Sequence, residues 1–309
     1  MSFAMAHLFV IFMVLIAVAY FTLFERKVLA AAQMRKGPNK AGIAGLAQPL
    51  ADAVKLFTNE TTRVQASNEG SYWLAPTLGL IIALTTWELA PYKSAMINFK
   101  WGAILFLCGS SLAVYPIILA GWASNSKYSL LGAMRAIAQT ISYEVCLGLI
   151  LFNSAMLSSS LSFVEISAPL KISWSALMFP PLFGMWLSCL LAETNRTPFD
   201  FAEGESELVS GFNVEYGSVG FSLIFMAEYA NILFMSMITS VTFLGGGSSL
   251  MMATKTLLVC YFVIWARATL PRFRYDLLMY LTWKKFLPLV LSLLMLILSI
   301  LFLMQSAFY

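Results

Sequence analysis

The chain is poor in most of the side chains with which proteins hold metals and redox groups. It has one histidine, His7, in 309 residues, and four cysteines, Cys108, Cys146, Cys189 and Cys260, each isolated in an apolar run. Without a Cys-x-x-Cys pair or a second imidazole, no iron–sulfur, haem or zinc site is expected within the chain, and the predicted metal set is empty. The cysteines read as small buried hydrophobes. No Gly-x-Gly-x-x-Gly and no P-loop is present, so no nucleotide cradle is expected either. Charge is scarce, at 11% of residues, against about 25% in a soluble domain.

What is abundant is hydrocarbon: 60% of the residues are hydrophobic. A membrane-crossing helix needs about 17–25 apolar residues. Eight runs qualify, at about 3–24, 72–90, 101–121, 137–157, 173–193, 219–243, 252–270 and 285–305. The first lacks a basic region before it and a small-residue cleavage site after it, so it reads as a retained span and not a signal peptide. In the fourth, Gln139, Thr140, Tyr143 and Glu144 form a polar stripe suited to a protein face or a cavity, not to lipid. With eight spans, 15 of the 19 bases fall in the odd loops or at their edges, leaving Lys93, Lys100, Lys171 and Lys255 opposite. The positive-inside rule then puts the odd loops in the cytoplasm or its mitochondrial equivalent, the matrix. The net charge of +4 thus reports topology, and no nucleic-acid partner is expected. The expected fold is an all-α polytopic membrane protein, a single membrane domain over 1–309.

Loop one opens with a turn signal, Arg35-Lys36-Gly37-Pro38-Asn39. Beyond it, Leu46, Leu50, Val54 and Phe57 recur at helical spacing with Gln48, Asp52 and Lys55 opposite, predicting an amphipathic helix over 46–57 that lies at the interface. Met (17) and Phe (24) are numerous; they suit packing, or the wall of an apolar tunnel.

The densest chemistry lies in 193–215, which holds six of the 15 acidic residues and one base, Arg196. Charge beside hydrocarbon needs water, partners or protons to compensate it. Glu144, Glu193 and Glu228 fall inside or at the end of predicted spans, and a carboxyl deprived of water favours its neutral form, which suits proton exchange near neutral pH. Helix-locking hydrogen bonds are the alternative use of such residues. Arg135 and Glu144 are nine residues apart and point to opposite faces of a straight helix, so each needs another partner. Glu193 and Arg196, three apart, could share a face, and Pro198 should end any helix near 197. Glu203, Glu205 and Glu207 follow; Phe199, Phe201, Leu208, Val209 and Phe212 among them favour a buried loop over a solvated one.

These stretches resemble a known family. Glu25-Arg26-Lys27-Val28-Leu29, Gln33 to Asn39, Gln48 to Asp52, Lys55-Leu56-Phe57, Gly121 to Tyr128, Arg135 to Glu144, Leu191 to Arg196, Glu203 to Tyr216, Ala227-Glu228-Tyr229-Ala230-Asn231 and Pro271 to Asp276 match subunit 1 of NADH:ubiquinone oxidoreductase, respiratory complex I, in order along nearly the whole chain. The pattern departs at Ala30-Ala31, Thr197, Phe201-Ala202 and near Glu60-Thr61, without loss of a titratable group. The resemblance implies a mitochondrial inner-membrane location, or else a bacterial plasma membrane. It also implies contact with quinone-site peripheral-arm subunits, small membrane-arm subunits and lipid. Ubiquinone would be the substrate, with the flavin and iron–sulfur clusters held by partner subunits. By the same resemblance, Glu25, Arg26, Arg35, Asp52, Phe225, Tyr229 and Arg274 lie along a quinone path. Glu144, Glu193, Arg196, Asp200, Glu203, Glu205, Glu207, Glu215 and Glu228 form a polar path coupling quinone reduction to proton translocation. The competing expectations are a stand-alone proton or ion transporter and the membrane anchor of a hydrogenase-type complex.

Overall fold

The computed structural model describes residues 3–61, 65, 67–91, 99–171, 173–202, 204 and 209–308, and among them there is no strand. Helix α1 (Phe3–Ala32) has no Gly or Pro to stop it, and it carries Glu25, Arg26 and Lys27 past the predicted end of the first span. Thirty residues at about 1.5 Å each reach about 45 Å, more than the roughly 30 Å of bilayer hydrocarbon. The helix closes at Met34, which takes a left-handed φ of 56°, with Arg35 N–H donating back to Ala30 O at 2.9 Å. Helix α2 (Gln48–Thr58) has Pro49 in its first turn, where the missing N–H costs nothing. Its Leu50, Val54 and Phe57 are exposed along one face, while Gln48 donates to Asp52 at 2.9 Å on the other.

Helix α3 (Glu69–Thr86) packs against α10 (Ser218–Thr242) through small residues: Ala83, Ala227 and Ala230 are all buried with Val14 and Val18 of α1. Small side chains let backbones approach closely, the usual basis of helix association in lipid. The third predicted span is two pieces, α4 (Gly102–Leu112) and α5 (Val114–Ala123). Pro116 lies just beyond the break and has no N–H to give the preceding turn.

Helix α6 (Lys127–Ser158) begins ten residues before the predicted fourth span, capped by Ser126, whose Oγ accepts the Ser129 N–H at 3.4 Å. Its stripe of Gln139, Thr140 and Tyr143 is buried, as a polar face among apolar helices requires. A short helix not predicted from the sequence, α7 (Phe163–Leu170), follows under a Ser162 cap. The predicted fifth span is broken into α8 (Ser175–Met178) and α9 (Pro180–Glu193). Two successive prolines deny two backbone donors, and Phe179 before them is held out of the helical region at φ −129°, ψ 70°. After α10 come α11 (Ser249–Thr269), α12 (Tyr275–Tyr280), a π-turn at Leu281–Phe286 and α13 (Leu287–Phe308).

Among the described residues, six stretches are long and apolar enough to cross a membrane: His7–Ala32, Gly102–Ala123, Lys127–Ser158, Ser218–Thr242, Ser249–Thr269 and Tyr275–Leu303. The predicted runs 72–90 and 173–193 are not among them. Helix α3 begins on Glu69, Gly70 and Ser71, and α9 has only 14 residues. The core sits between α6, α9 and α10, where Tyr143, Trp186, Phe234 and Phe243 are fully buried. Within α10 the hydroxyls of Ser236, Thr239, Ser240 and Thr242 return to carbonyls three or four residues back, so these polar groups cost little inside an apolar layer. The loop between α10 and α11 turns on Gly245, at φ 71°, where a Cβ would run into the Leu170 carbonyl. Gly245→Ala should destabilise the chain by about 1–3 kcal/mol, whereas Gly184→Ala, in open space within α9, should stabilise it by about 0.5–1 kcal/mol; denaturant unfolding in detergent micelles measures both.

Candidate functional site

Glu25 is the most buried charged side chain of the described residues, 5% exposed. It enters the protein from the last third of α1 and is met from three directions. Arg196 Nη1 reaches Oε1 at 3.1 Å, Arg267 Nη1 donates to the same oxygen, and the Tyr229 hydroxyl donates to Oε2 at 2.5 Å. The Arg196 guanidinium also lies 4.6 Å above the centre of the Tyr229 ring. Phe21, Ile232, Val263 and Ile264 complete the walls. Burial works against the charge of Arg196, but Glu25 beside it outweighs that, and the guanidinium is held above its ordinary range. Two guanidinium groups thus converge on one carboxylate.

Arg196 reaches this place because α9 stops. Thr194 leaves the helix at φ −84°, ψ 6°, and Asn195 turns left-handed at φ 49°. Arg196 N–H then closes on Leu191 O at 3.0 Å, a C-terminal capping arrangement. The turn separates Glu193 from Arg196, so the two do not continue one helical face. Glu193 instead lines a cavity of about 80 Å³ walled by α3, α4, α5, α6, α10 and the end of α9. Glu228, Asn195, Asn231, Thr140, Thr194 and Ser110 are its other polar lining; Ala75, Pro76, Ile117 and Ile224 are among its apolar walls. Glu144 is close enough to Glu193 to repel its charge, and Glu228, on the cavity wall, is close enough to Arg196 to favour its charge. Glu193 Oε2 and Asn195 Oδ1, on the cavity lining, and Gln139 Oε1, Tyr143 Oη and Thr197 Oγ1, close to them in sequence or on α6, are buried without a hydrogen-bond partner among the described residues.

The remaining expected residues lie around these two centres. Asp200 accepts from Arg272 at 3.4 Å. Arg26 joins Asp52 at 2.6 Å, fastening α2 to α1. Arg35 donates to Gln33 at 2.9 Å, and Arg274 pairs with Asp276 at 3.0 Å at an exposed position. Phe225 lies between Phe221 and Tyr229, with ring centres 4.2 and 6.4 Å away. The Glu215 carbonyl accepts the Tyr72 hydroxyl at 2.7 Å, and Tyr72 stacks on Tyr216 at 4.3 Å. Glu203, Glu205, Glu207 and Leu208 lie outside the described residues. Of the loop's apolar residues, Phe199, Phe201 and Phe212 are buried as expected, while Val209 is exposed and does not join them. Arg267 is the residue the sequence reading missed. It was legible only as a base in the last turn of an apolar helix, a place where a cation also suits the helix dipole.

Removing one partner of a buried ion cluster strands the others. Glu25→Gln should therefore cost about 3–5 kcal/mol of stability, while Arg26→Gln, whose pair with Asp52 is exposed, should cost at most about 1 kcal/mol; comparing the two variants by unfolding in micelles checks the difference.

The sequence model of a protein family described as NADH dehydrogenase matches residues 5–298. The chain is 53% identical over 286 residues to NADH-ubiquinone oxidoreductase chain 1 of Aedes aegypti, covering 92% of this chain and 91% of that one. It is 50% identical over 291 residues to the chain 1 of Locusta migratoria, covering 94% and 93%, and 51% identical over 292 residues to that of Balaenoptera physalus, covering 91% of each. At this identity over this much of both chains, the protein belongs to the NADH dehydrogenase family represented by chain 1 of NADH-ubiquinone oxidoreductase.

Proposed function

We propose that this chain is a core membrane subunit of a proton-translocating NADH:ubiquinone oxidoreductase of the mitochondrial inner membrane. In this reading residues 1–309 form one membrane domain of eight spans. Helix α3 and the broken α8–α9 segment complete the six longer ones, with the odd loops in the matrix and α2 at the interface. Short or interrupted helices are tolerated at membrane depth when other helices cover them, and both are packed into the helical core. Electrons would arrive from iron–sulfur clusters and a flavin held by partner subunits, and ubiquinone would be the substrate.

The observation that carries the functional reading is the placement of Glu228. It lines the cavity that holds Glu193, and it acts electrostatically on Arg196 of the Glu25 cluster. The quinone path would run past Arg26, Arg35, Asp52, Glu25, Phe225, Tyr229 and Arg274. The polar path would be Glu228, Glu193 and Glu144, with Arg196, Asp200, Glu215 and the segment of Glu203, Glu205 and Glu207. Reducing a quinone to a quinol adds two electrons and two protons. Negative charge that develops near the cluster would be stabilised by the Arg196 and Arg267 guanidinium groups. The same negative charge makes nearby carboxyls hold protons more tightly. Because Glu193 and Glu144 repel each other, a proton gained by one alters the other, and the carboxyls titrate as a coupled set. The orphaned polar atoms beside the cavity supply places where water would bridge the carboxyls.

The test is to reconstitute the whole enzyme with Glu193→Gln or Glu144→Gln, each of which keeps the side chain's shape and removes its proton exchange. Proton translocation coupled to NADH:ubiquinone turnover should fall by at least about tenfold while the complex still assembles. Wild-type rate and proton stoichiometry in both variants would sink the proposal. Purification without NADH-oxidising partners, together with proton movement in liposomes lacking NADH and quinone, would favour a stand-alone transporter instead.

A further inference from the structure

A second and larger cleft, which shares no lining residue with the Glu25 cluster, opens between the start of α4 and the end of α6. Its volume is about 610 Å³, within the roughly 300–1,000 Å³ of ligand pockets. Two stretches long and apolar enough to cross a membrane, Gly102–Ala123 and Lys127–Ser158, begin and end at it, so it lies where apolar helices leave hydrocarbon. Its two sides are tied together: Ala103 N–H donates to the Leu161 carbonyl at 3.0 Å. The mouth carries one cation, Lys100, and one anion, Glu165. Neither forms an ion pair with any described residue. The backbone N–H of Glu165 is held at 3.2 Å by Ser162 Oγ, which fixes the first turn of α7 and with it the base of the Glu165 side chain. Below the mouth, Phe152 and Met156 stand four apart on one face of α6, and Phe152 is exposed. From Ser158, the last residue of α6, down to Phe152 the helix descends about 9 Å. Trp101 is exposed at the rim, as interfacial aromatic residues are.

We infer that this cleft binds one phospholipid with a zwitterionic, primary-ammonium headgroup. The lipid phosphate faces Lys100 and the Ser160 hydroxyl, the ammonium donates to Glu165, and an acyl chain lies along Phe152 and Met156. The charge pattern chooses among lipids. A headgroup carrying only negative charge would set a phosphate against Glu165, and a quaternary ammonium has no N–H to give a carboxylate. The inference does not depend on the quinone reading, because it concerns a different end of the helices.

The experiment uses the intact complex, washed in detergent until bulk lipid is gone and then equilibrated with vesicles of phosphatidylethanolamine, phosphatidylcholine or cardiolipin. Phospholipid retained per chain is then measured after extraction. The wild type should retain phosphatidylethanolamine at about tenfold higher affinity than phosphatidylcholine. Glu165→Gln and Lys100→Gln should each lower that affinity about tenfold, the scale of one lost charge-assisted hydrogen bond. Unfolding of the lipid-stripped protein should be unchanged, since neither side chain has an ion-pair partner among the described residues. Equal retention in the variants, preference for cardiolipin or phosphatidylcholine, or no retained lipid would overturn the inference. So would a photo-crosslinker at position 101 that captures a protein subunit in place of lipid. If a variant fails to assemble, the wild-type comparison among headgroups decides alone.

Discussion

A carboxylate removed from water has to be answered within the protein, and the Glu25 cluster is that answer. Its attraction to Arg196 and Arg267 acts in a medium of low dielectric, where charge pairs are strong and unpaired charges ruinous. The pairing also draws three distant parts of the chain to one point: Arg196 is 171 residues from Glu25 and Arg267 is 242. Tyr229 satisfies the second carboxylate oxygen. The ends of α1, α9 and α11 and the middle of α10 are thereby held in a fixed arrangement. Hydrophobic burial alone would not select it, because helices surrounded by lipid gain little from hiding apolar surface on one another.

The breaks in the helices follow the same logic. Where α9 ends, irregular backbone would be costly in hydrocarbon, yet here it is enclosed by protein and makes its own bonds: Thr194 Oγ1 returns to Leu190 O, and Gln139 Nε2 donates to both Ala192 O and Phe199 O at 2.8 Å. Gln139 thus stitches α6 to the turn that sends Arg196 toward Glu25 and Glu193 toward the cavity. A stripe that looks like a defect in an apolar helix is the support for an interruption in its neighbour.

Much of the helical plan was legible in the sequence, because long apolar runs can be read by length alone; α10 and α11 match their predicted runs to within three residues, while α1 begins with its run and continues eight residues past it. The amphipathic pattern of α2 was legible through its three- and four-residue spacing. Boundaries were not. Helix α6 begins ten residues early because polar residues such as Arg135 are admitted to a helix that packs on α5, which hydropathy cannot register. Helix α7 is eight residues long and too short to stand out. For the site, acidic side chains near apolar runs gave away Glu193 and Glu228 as participants, but not their partners. Three residues of spacing suggested that Glu193 and Arg196 share a face; the left-handed Asn195 sends them apart. Arg267 was hidden because it is an ordinary helix-end base until a third helix brings Glu25 to it.

The geometry of α10 shows how two centres can be distinct and still feel each other. At 3.6 residues per turn, neighbouring residues point about 100° apart. Ile224, Ala227, Glu228 and Asn231 recur at three and four and line the cavity. Phe225, Tyr229 and Ile232 recur in the same way, one residue out of phase, on the side of the Glu25 cluster. One helix thus separates an apolar, aromatic face from an acidic one. Because the two faces belong to consecutive residues, Glu228 stays close to Arg196 although its side chain lines the cavity. A change of charge at the cluster would need no moving part to be sensed by the cavity carboxyls; the Coulomb field across the width of a single helix would suffice.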